Sequence, residues 1–340
     1  MINRKLKNSS KLLMNISSAA MRFFVLFLSC WKKIRRIPSS TIRSIKTAAI
    51  RKPVRKLCHI AVDILFWGCI AVVAYVVGQT LLFASFRIPT DSMQPGLIGG
   101  DYALVWKPVL GARIFNLFDA VKGKKVSIRR LPGLRKVRRN DVLVFHFPYP
   151  HRDDSIGMHI LKYYIKRCVA LPGDTFRIDS GIYRVDGVTD TLGVYHRQAE
   201  MAEMADSTFQ TEIFRCFPFD SAYRWNVKQF GSLYVPCKGS EVAIDMQNIA
   251  LYGNLIAYET GLQITVREGQ VFMDDKPLPA YTFTHDYYFM VGDWVFDSRD
   301  SRYWGLLPDD LIVGKAAFIW WSVDMRTQKF RWDRFLKKIQ

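Results

Sequence analysis

The sequence predicts a mainly β protein, in which an antiparallel β body with an inserted cap region is anchored by one N-terminal transmembrane helix. Two observations predict this fold class. Residues 64–86 form a run of 23 residues without a formal charge. After residue 87 the chain breaks into short runs rich in Val, Ile, Phe, Tyr and Trp, separated by turn residues. Helical periodicity is scarce there, so antiparallel strand pairing is expected to dominate.

The uncharged run is long enough to cross a bilayer. At a rise of about 1.5 Å per residue, a helix of this length covers roughly 30 Å of hydrocarbon. Four basic residues lie just before the run, whereas only Arg87 closely follows it; the four are Arg51, Lys52, Arg55 and Lys56. Because Lys and Arg beside a spanning helix stay in the cytoplasm, we expect a cytoplasmic N-terminus and an extracytoplasmic body.

A second apolar stretch, residues 23–31, has only nine residues and is too short to span a bilayer. It is expected either to lie at the membrane interface beside anionic lipid or to be solvated. A two-span alternative, in which residues 12–31 also cross, would bury Arg22 in the membrane. This alternative ranks second to the single-span topology.

The positive charge of the protein is concentrated at its N-terminus. Residues 1–56 contain fifteen Lys and Arg and no Asp or Glu, and the remaining 284 residues carry a net charge of only +4. A nucleic-acid-binding surface needs basic and aromatic residues interleaved over a folded face, which this nearly neutral body does not offer. The chain is 49% hydrophobic, which excludes a disordered protein and a disulfide-stapled miniprotein.

The body is expected to be a β domain interrupted by an inserted region. Eight runs have strand character: 102–106, 141–147, 163–170, 175–178, 181–185, 270–273, 287–291 and 316–322. The predicted organisation is a basic cytoplasmic segment (1–58), a transmembrane helix (59–86), a β domain in two parts (87–185 and 266–325), an inserted cap region (186–265) and a basic aromatic tail (326–340). The tail is expected to be either a helix near the membrane surface or a solvated extension.

Three cysteines, Cys168, Cys216 and Cys237, lie in the exported body. Because the count is odd, at least one thiol is free or bonds to another molecule. Cys216 and Cys237 either pair with each other or remain two buried thiols.

Three short segments carry residue types that are unusual where they occur. Residues 88–96 (IPTDSMQPG) place Ser92 in a stiff loop between two prolines. Lys166 lies inside the apolar run 163–170, where burial would lower the pKa of its amine toward about 7–8 and make it a general base. Residues 291–305 (VGDWVFDSRDSRYWG) concentrate acids and arginines, which indicates an ion-pair network that pins a loop rather than a metal site. The plainer interpretations are a turn serine, an outward-facing lysine and a surface salt-bridge cluster.

In this order and directly after a membrane helix, these segments resemble the type I signal peptidases, which are Ser/Lys membrane proteases, in a long form similar to that of Bacteroidetes. The resemblance covers roughly residues 87–322. Four elements carry it: Ser92-Met93 followed by Pro95, residues 100–105 (GDYALV), Lys166-Arg167 followed by Pro172-Gly173-Asp174, and Gly292-Asp293 followed by residues 298–302 (SRDSR) and Gly305. Each element is weak alone, but four in order are specific.

The chain departs from the family pattern at several positions. Trp294-Val295 stands where Asn-Arg is common, and Ala170 stands where glycine is usual. Asp91 replaces a small residue next to the nucleophile, and Thr90 keeps the hydroxyl of a position that is often serine.

The resemblance implies a role for each site residue. Ser92 is the nucleophile and neutral Lys166 its general base. Thr90 Oγ and the Ser92 backbone N–H form the oxyanion hole. Ser298 hydrogen-bonds the lysine amine and aims it, while Asp300 and Arg302 hold the loop that carries Ser298.

The resemblance also implies partners and a location. The substrates are signal-peptide-bearing preproteins, and the lipid bilayer is a second partner. Contact with the translocation machinery stays open. No cofactor, no metal and no nucleic acid is implied. The expected location is the bacterial cytoplasmic (inner) membrane, with a single pass, a cytoplasmic N-terminus and an extracytoplasmic catalytic domain.

Two other function classes compete with a Ser/Lys protease. A catalytically silent membrane-tethered β-module, acting as a scaffold or assembly factor, is suggested by Asp91, Trp294 and the large insertion. A lipid- or nucleic-acid-binding protein is suggested by the basic first 56 residues and disfavoured by the neutral body. The six histidines form neither an HExxH motif nor a cluster with neighbouring carboxylates, which disfavours a metalloprotease.

Overall fold

A computed structural model of the protein describes residues 48–116, 119, 126–149, 155–158 and 161–340. The chain divides after residue 78 into an N-terminal unit and a second unit that contains residues 79–340. The expected interfacial stretch 23–31 and the first span of the two-span alternative lie outside the described residues.

Short strands make up most of the regular structure, with helices at the N-terminus and in segment 186–265. In chain order the elements are α1 (Ala48–Leu81), β1 (Phe83–Arg87), β2 (Asp101–Trp106), β3 (Arg113–Ile114), β4 (Arg129–Arg130), β5 (Val142–His146), β6 (Tyr163–Ala170), β7 (Thr175–Asp179), β8 (Ile182–Val185), α2 (Tyr195–Glu203), α3 (Thr211–Phe214), β9 (Phe230–Tyr234), β10 (Glu241–Ala243), α4 (Ile249–Thr260), β11 (Ile264–Arg267), β12 (Gln270–Met273), β13 (Lys276–Pro277), β14 (Ala280–Thr282), β15 (Tyr287–Val291), α5 (Ser301–Trp304), β16 (Leu307–Pro308), β17 (Ile312–Ser322) and β18 (Lys337–Lys338). Short 3₁₀ turns cover Asp206–Thr208, Asp309–Leu311 and Trp332–Arg334.

Helix α1 contains a segment long and apolar enough to cross a membrane. This segment, His59–Leu81, has 23 residues and a mean hydropathy of 2.4. The helix ends at Leu81, five residues before the end of the predicted span, and the chain continues into β1. Hydropathy does not distinguish the two conformations, because Phe83 and Phe86 are as apolar in a strand as in a helix. Backbone pairing with β2, where Phe86 lies opposite Ala103, decides the strand.

The prediction of a mainly β, antiparallel fold is confirmed. The principal sheet has eight strands in the order β1-β2-β17-β5-β6-β15-β16, with β18 pairing with β17. Strand β6 lies between β5 and β15, so that Leu143 is opposite Lys166 and Val291 is opposite Arg167. Strands β6, β12 and β15 have the predicted bounds, whereas β17 begins at Ile312, four residues earlier than predicted.

Segment 186–265 shares a hydrophobic core with the sheet. Phe176 of β7 stacks on Phe289 of β15 with ring centroids 4.1 Å apart. Met201, Phe230 and Ile256 of the segment belong to the same buried cluster. Helices α2 and α4 were not predicted, because helical periodicity is scarce in this part of the sequence. Helix α4 (IALYGNLIAYET) is apolar around most of its circumference, so it lacks the polar stripe that marks an amphipathic helix.

The C-terminal residues are neither a long helix nor a solvated extension. They form the 3₁₀ turn Trp332–Arg334 and strand β18, and Ile339 is buried. The Arg334 guanidinium donates a 2.7 Å hydrogen bond to the Asp101 carboxylate, which is fully buried. A buried carboxylate at the start of β2 needs an opposite charge, and the C-terminus provides it.

The described cysteines include no disulfide. Cys69, Cys168, Cys216 and Cys237 are free thiols, so Cys216 and Cys237 do not pair. Burial raises the pKa of Cys216 to about 12, which keeps this thiol protonated and unreactive at neutral pH.

Candidate active site

Ser92 lies in a loop between β1 and β2 that is anchored on both sides of it. The side chains of Met93 and Leu97 are 1% exposed and pack in one core cluster. The Asp91 carboxylate accepts a 2.8 Å hydrogen bond from the Gly99 backbone N–H. This hydrogen bond is the largest of the effects that lower the pKa of Asp91. The Asp91 side chain, next to the proposed nucleophile, therefore joins residue 91 of the loop to Gly99 near the end of the same loop.

The structure brings Ser92 and Lys166 together. Lys166 Nζ donates a 2.6 Å hydrogen bond to Ser92 Oγ. Lys166 is 3% exposed on the central strand β6, so the interpretation of an outward-facing edge lysine is wrong. Burial lowers the pKa of the amine to about 8, because desolvation and the nearby Arg302 outweigh the opposite effects of Asp300 and other carboxylates. A lysine with this pKa is partly neutral near physiological pH.

Thr90 lies beside the hydroxyl of Ser92. Its Oγ1 atom is 3.5 Å from Ser92 Oγ, and the Thr90 side chain is exposed. A hydroxyl at this position can donate to an oxygen atom that approaches Ser92 from solvent.

The segment after β15 packs directly on the backbone of Ser92. The Trp294 N–H donates a 3.1 Å hydrogen bond to the Ser92 carbonyl oxygen. A Cβ atom at position 292 would lie 2.6 Å from the same carbonyl oxygen and 2.0 Å from Ser298 Oγ. Only glycine permits this close approach of the two segments. Ser298 Oγ therefore lies beside residues 88–100, the loop that carries Ser92 and that is called the nucleophile loop after the proposed role of this serine.

Ser298 does not form the expected hydrogen bond with the lysine amine. Its Oγ atom is buried and has no hydrogen-bond partner among the described residues. The amine donates instead to Ser92 Oγ. In this structure the Ser298 hydroxyl is therefore an unused polar group next to the nucleophile loop.

Asp300 and Arg302 form an ion pair in the loop that carries Ser298. Both side chains are fully buried, and Arg302 Nε and NH2 each donate a 2.9 Å hydrogen bond to the Asp300 carboxylate. Asp300 also accepts a 2.9 Å hydrogen bond from the Gly292 N–H. Burial alone would raise the pKa of Asp300, but Arg302 lowers it below its usual value, so the carboxyl stays ionised. The pair links the Ser298 loop to the glycine beside Ser92.

Sequence reasoning gave no role to a second ion pair next to the site. Arg167 Nε and NH2 each donate a 2.6 Å hydrogen bond to the Asp293 carboxylate. Arg167 and Asp293 both belong to the motif segments. Their positions next to Lys166 and Trp294 were the sequence signal that could have indicated the pair. Asn140, whose carbonyl accepts from Arg167 NH1 at 2.9 Å, had no signal in the sequence.

One histidine does meet carboxylates, contrary to the expectation from the sequence. The possible ligand atoms of His285, Asp309 and Asp310 lie within 4.8 Å of one another. His285 Nδ1 is hydrogen-bonded to Asp309 Oδ1 at 2.7 Å, and Tyr258 donates a 2.6 Å hydrogen bond to Asp310. The hydrogen bond that Asp309 accepts from His285 is the main reason why the pKa of His285 is raised. These hydrogen bonds account for the proximity of the three side chains. They were not predicted because His285 and Asp309 are distant in the sequence.

Known proteins resemble this chain over most of its length. The family described as "Signal peptidase, peptidase S26" matches residues 61–321. Signal peptidase I of Buchnera aphidicola subsp. Acyrthosiphon pisum is 28% identical over 250 residues, which cover 72% of this chain and 70% of the relative. Signal peptidase I of Pseudomonas aeruginosa is 28% identical over 254 residues (72% and 66%), and that of Helicobacter pylori is 25% identical over 301 residues (80% and 90%). The chain therefore belongs to the signal peptidase family, peptidase S26.

Proposed function

We propose that this serine endopeptidase removes signal peptides from exported preproteins with a Ser92/Lys166 dyad. The 2.6 Å hydrogen bond between Lys166 Nζ and Ser92 Oγ carries the proposal. The relatives named signal peptidase I supply the substrate class. This proposal is the Ser/Lys protease that the sequence led us to expect.

The chemistry begins with the neutral amine of Lys166. It takes the proton of Ser92 Oγ while the oxygen attacks the scissile carbonyl, and the collapse of the tetrahedral intermediate leaves an acyl-enzyme on Ser92. The ammonium group of Lys166 gives this proton to the new amine terminus of the mature protein as it leaves. The neutral amine of Lys166 then deprotonates a water molecule, which hydrolyses the ester and frees the signal peptide, and the proton passes from Lys166 back to Ser92 Oγ. The pKa of about 8 supports this role, since the amine can both accept and return a proton near neutral pH.

The negative charge that develops on the substrate oxygen needs hydrogen-bond donors. Thr90 Oγ1, which lies 3.5 Å from Ser92 Oγ, and the Ser92 backbone N–H are proposed as these donors. The hydrogen bond from Trp294 N–H to the Ser92 carbonyl supports this assignment, because it restrains the backbone next to the donor. One such donor is typically worth about 3–4 kcal/mol of barrier. Ser298, Asp300 and Arg302 are proposed to support the dyad.

The membrane setting is part of the proposal. The segment His59–Leu81 would form a single pass in the bacterial cytoplasmic membrane. Arg51, Lys52, Arg55 and Lys56 precede it and favour a cytoplasmic N-terminus with the catalytic domain outside. Protease treatment of spheroplasts tests this topology: it should digest residues 82–340 and spare the N-terminal segment. Protection of the catalytic domain would contradict the assigned sidedness.

Incubation of the detergent-solubilised full-length protein with a preprotein tests the proposed activity. The parent should release the mature chain with a new N-terminus at the signal-peptide junction, as read by mass spectrometry. Ser92→Ala and Lys166→Ala should each lose more than about 1,000-fold in kcat. The matched controls Ser207→Ala and Lys276→Ala, both at exposed positions, should cleave like the parent.

Two results would overturn the proposal in different ways. Cleavage by both dyad variants at the parental rate would show that Ser92 and Lys166 are not the catalytic pair. A parent that cleaves no preprotein would leave the catalytically silent membrane-tethered β-module as the better description.

A further inference from the structure

The indole ring of Trp294 connects segment 186–265 to the nucleophile. The guanidinium carbon of Arg197, on helix α2 of that segment, lies 4.3 Å from the centroid of a Trp294 ring. The backbone N–H of the same tryptophan donates to the Ser92 carbonyl oxygen at 3.1 Å. One residue therefore contacts the segment through its side chain and the nucleophile through its backbone.

Arg197 lies on a part of helix α2 that is held in place by its buried neighbours. The neighbouring residue Gln198 is 1% exposed; its Oε1 accepts from the Tyr183 N–H at 2.9 Å and its Nε2 donates to the Leu192 carbonyl at 2.6 Å. Met201, one turn further along α2, is 1% exposed in the large core cluster. The backbone of α2 at Arg197 is thus held against strand β8, and the guanidinium contacts the tryptophan from a defined position.

The guanidinium itself is oriented and partly desolvated. Arg197 NH1 donates a 2.8 Å hydrogen bond to Glu200, one turn later on the same helix. Arg197 Nε is buried and has no hydrogen-bond partner among the described residues. The Trp294 ring also contacts the Phe296 ring edge to face, with the ring centroids 5.6 Å apart. A cation on an aromatic face gains strength when water is excluded, so this contact restrains the ring.

A second connection from the same segment reaches the adjacent residue. Asn140 Nδ2 donates to the Thr191 carbonyl and Asn140 Oδ1 accepts from the Gly193 N–H, both at 2.8 Å. The Asn140 carbonyl accepts from Arg167 NH1, and Arg167 binds the Asp293 carboxylate through two 2.6 Å hydrogen bonds. Segment 186–265 therefore restrains both Asp293 and Trp294, the two residues that follow the close approach at Gly292.

We propose that Arg197 is a positioning residue for catalysis, which acts through Trp294 to hold the Ser92 carbonyl and so to keep the hydroxyl of Ser92 in register with Lys166. The inference rests on the proposed function. It gives segment 186–265 a specific task, which is to restrain the nucleophile loop in addition to the loop's own anchors at Met93 and Leu97. It also explains how a tryptophan is accommodated where the family commonly has a different pair.

Kinetics of the detergent-solubilised full-length protein test this role. Arg197→Met keeps the aliphatic stem and removes the cation, so kcat should fall about tenfold while KM for the preprotein stays within about twofold. Arg197→Lys keeps the cation and should recover kcat to within about threefold of the parent. Trp294→Leu should lower kcat, and adding Arg197→Met to it should cause little further loss, because both substitutions break the same contact.

A purely structural contribution gives a different pattern. It would lower the melting temperature of Arg197→Met while leaving kcat per folded molecule unchanged, and this result would overturn the inference. Additive losses in the double variant would overturn it as well. Arg267→Met is the matched control, since its side chain is 58% exposed and pairs with Asp275; kcat should not change.

The outcome separates this inference from the proposed function. An active parent with an inactive Ser92→Ala variant and a fully active Arg197→Met variant removes only the positioning role. A parent that cleaves no preprotein removes the proposed function, and the positioning role with it.

Discussion

Lys166 Nζ and Ser92 Oγ are joined by a 2.6 Å hydrogen bond although they lie 74 positions apart in the sequence. The lysine comes from the middle of the principal sheet and the serine from a loop between two strands at one side of it. The proposed dyad therefore depends on the packing of the nucleophile loop against the sheet as much as on the two residues. Changes to the amine, to the close approach at Gly292 or to the Ser298 loop should each alter cleavage in a distinct way.

The first prediction concerns the pH dependence of cleavage. Only the neutral amine of Lys166 can act as a base, and burial lowers its pKa to about 8. The neutral fraction therefore grows as the pH rises through 8, and kcat/KM should rise with it to a plateau. At pH 6 about 1% of the amine is neutral, so kcat/KM should be roughly 100-fold below the plateau. Initial rates between pH 6 and 10 measure the profile, and a flat profile would contradict Lys166 as the base.

The second prediction concerns Gly292. A Cβ atom at this position would lie 2.0 Å from Ser298 Oγ and 2.6 Å from the Ser92 carbonyl oxygen. Ser298 can rotate, but the Ser92 backbone must move, so Gly292→Ala should lower kcat about 100-fold. The control Gly253→Ala lies within helix α4, where the new Cβ would come no closer than 3.4 Å to a side-chain atom, and should retain full activity. Parental kcat in Gly292→Ala would contradict the assigned close approach.

The third prediction concerns the buried ion pair. Asp300→Asn leaves the Arg302 guanidinium buried without its countercharge, which should lower the free energy of unfolding by about 3–5 kcal/mol. Because Asp300 raises the pKa of Lys166 and Arg302 lowers it, the acid limb of the kcat/KM profile should also move below pH 8. Denaturant unfolding and rate profiles measure the two effects. Asp274→Asn, at an exposed position, serves as the control. An unchanged limb would argue against electrostatic coupling between Asp300 and the amine.

The fourth prediction concerns Ser298, whose buried hydroxyl has no hydrogen-bond partner among the residues described. Ser298→Ala removes an unsatisfied group, so the free energy of unfolding should change by less than about 1 kcal/mol. We expect kcat to fall about tenfold. After proton transfer Lys166 carries three donors, and the Ser298 hydroxyl beside Gly292 is an unused acceptor for one of them. Equal kcat in Ser298→Ala and the parent would exclude Ser298 from dyad support.

Features that depend on neighbours in the sequence were predicted well. Strand β6 has the predicted bounds, since the run 163–170 is rich in β-formers and ends before a Pro-Gly turn. The uncharged run of residues 64–86 likewise indicated an apolar helix. Four ordered motifs indicated the family.

Features that depend on contacts distant in the sequence were missed. Helix α4 is apolar around most of its circumference and so has no periodic signal. The end of α1 was misplaced because apolar residues suit a membrane helix and a paired strand equally. The buried pair of Arg334 and Asp101 joins residues 233 positions apart, and composition alone made the C-terminus resemble a solvated tail.

The sequence by itself determined the family, the candidate membrane span and the choice of Ser92 and Lys166 as the proposed dyad, because hydropathy, turn chemistry and motif order are local properties of the chain. Tertiary structure decided whether those residues could react. Burial within the sheet desolvates Lys166, and the packing of Gly292 and Trp294 restrains the backbone at Ser92. Arg197, which contacts Trp294, belongs to a segment that contains none of the sequence motifs. Desolvation and hydrogen-bond distance belong to the folded chain, since both depend on which distant residues occupy the space around an atom.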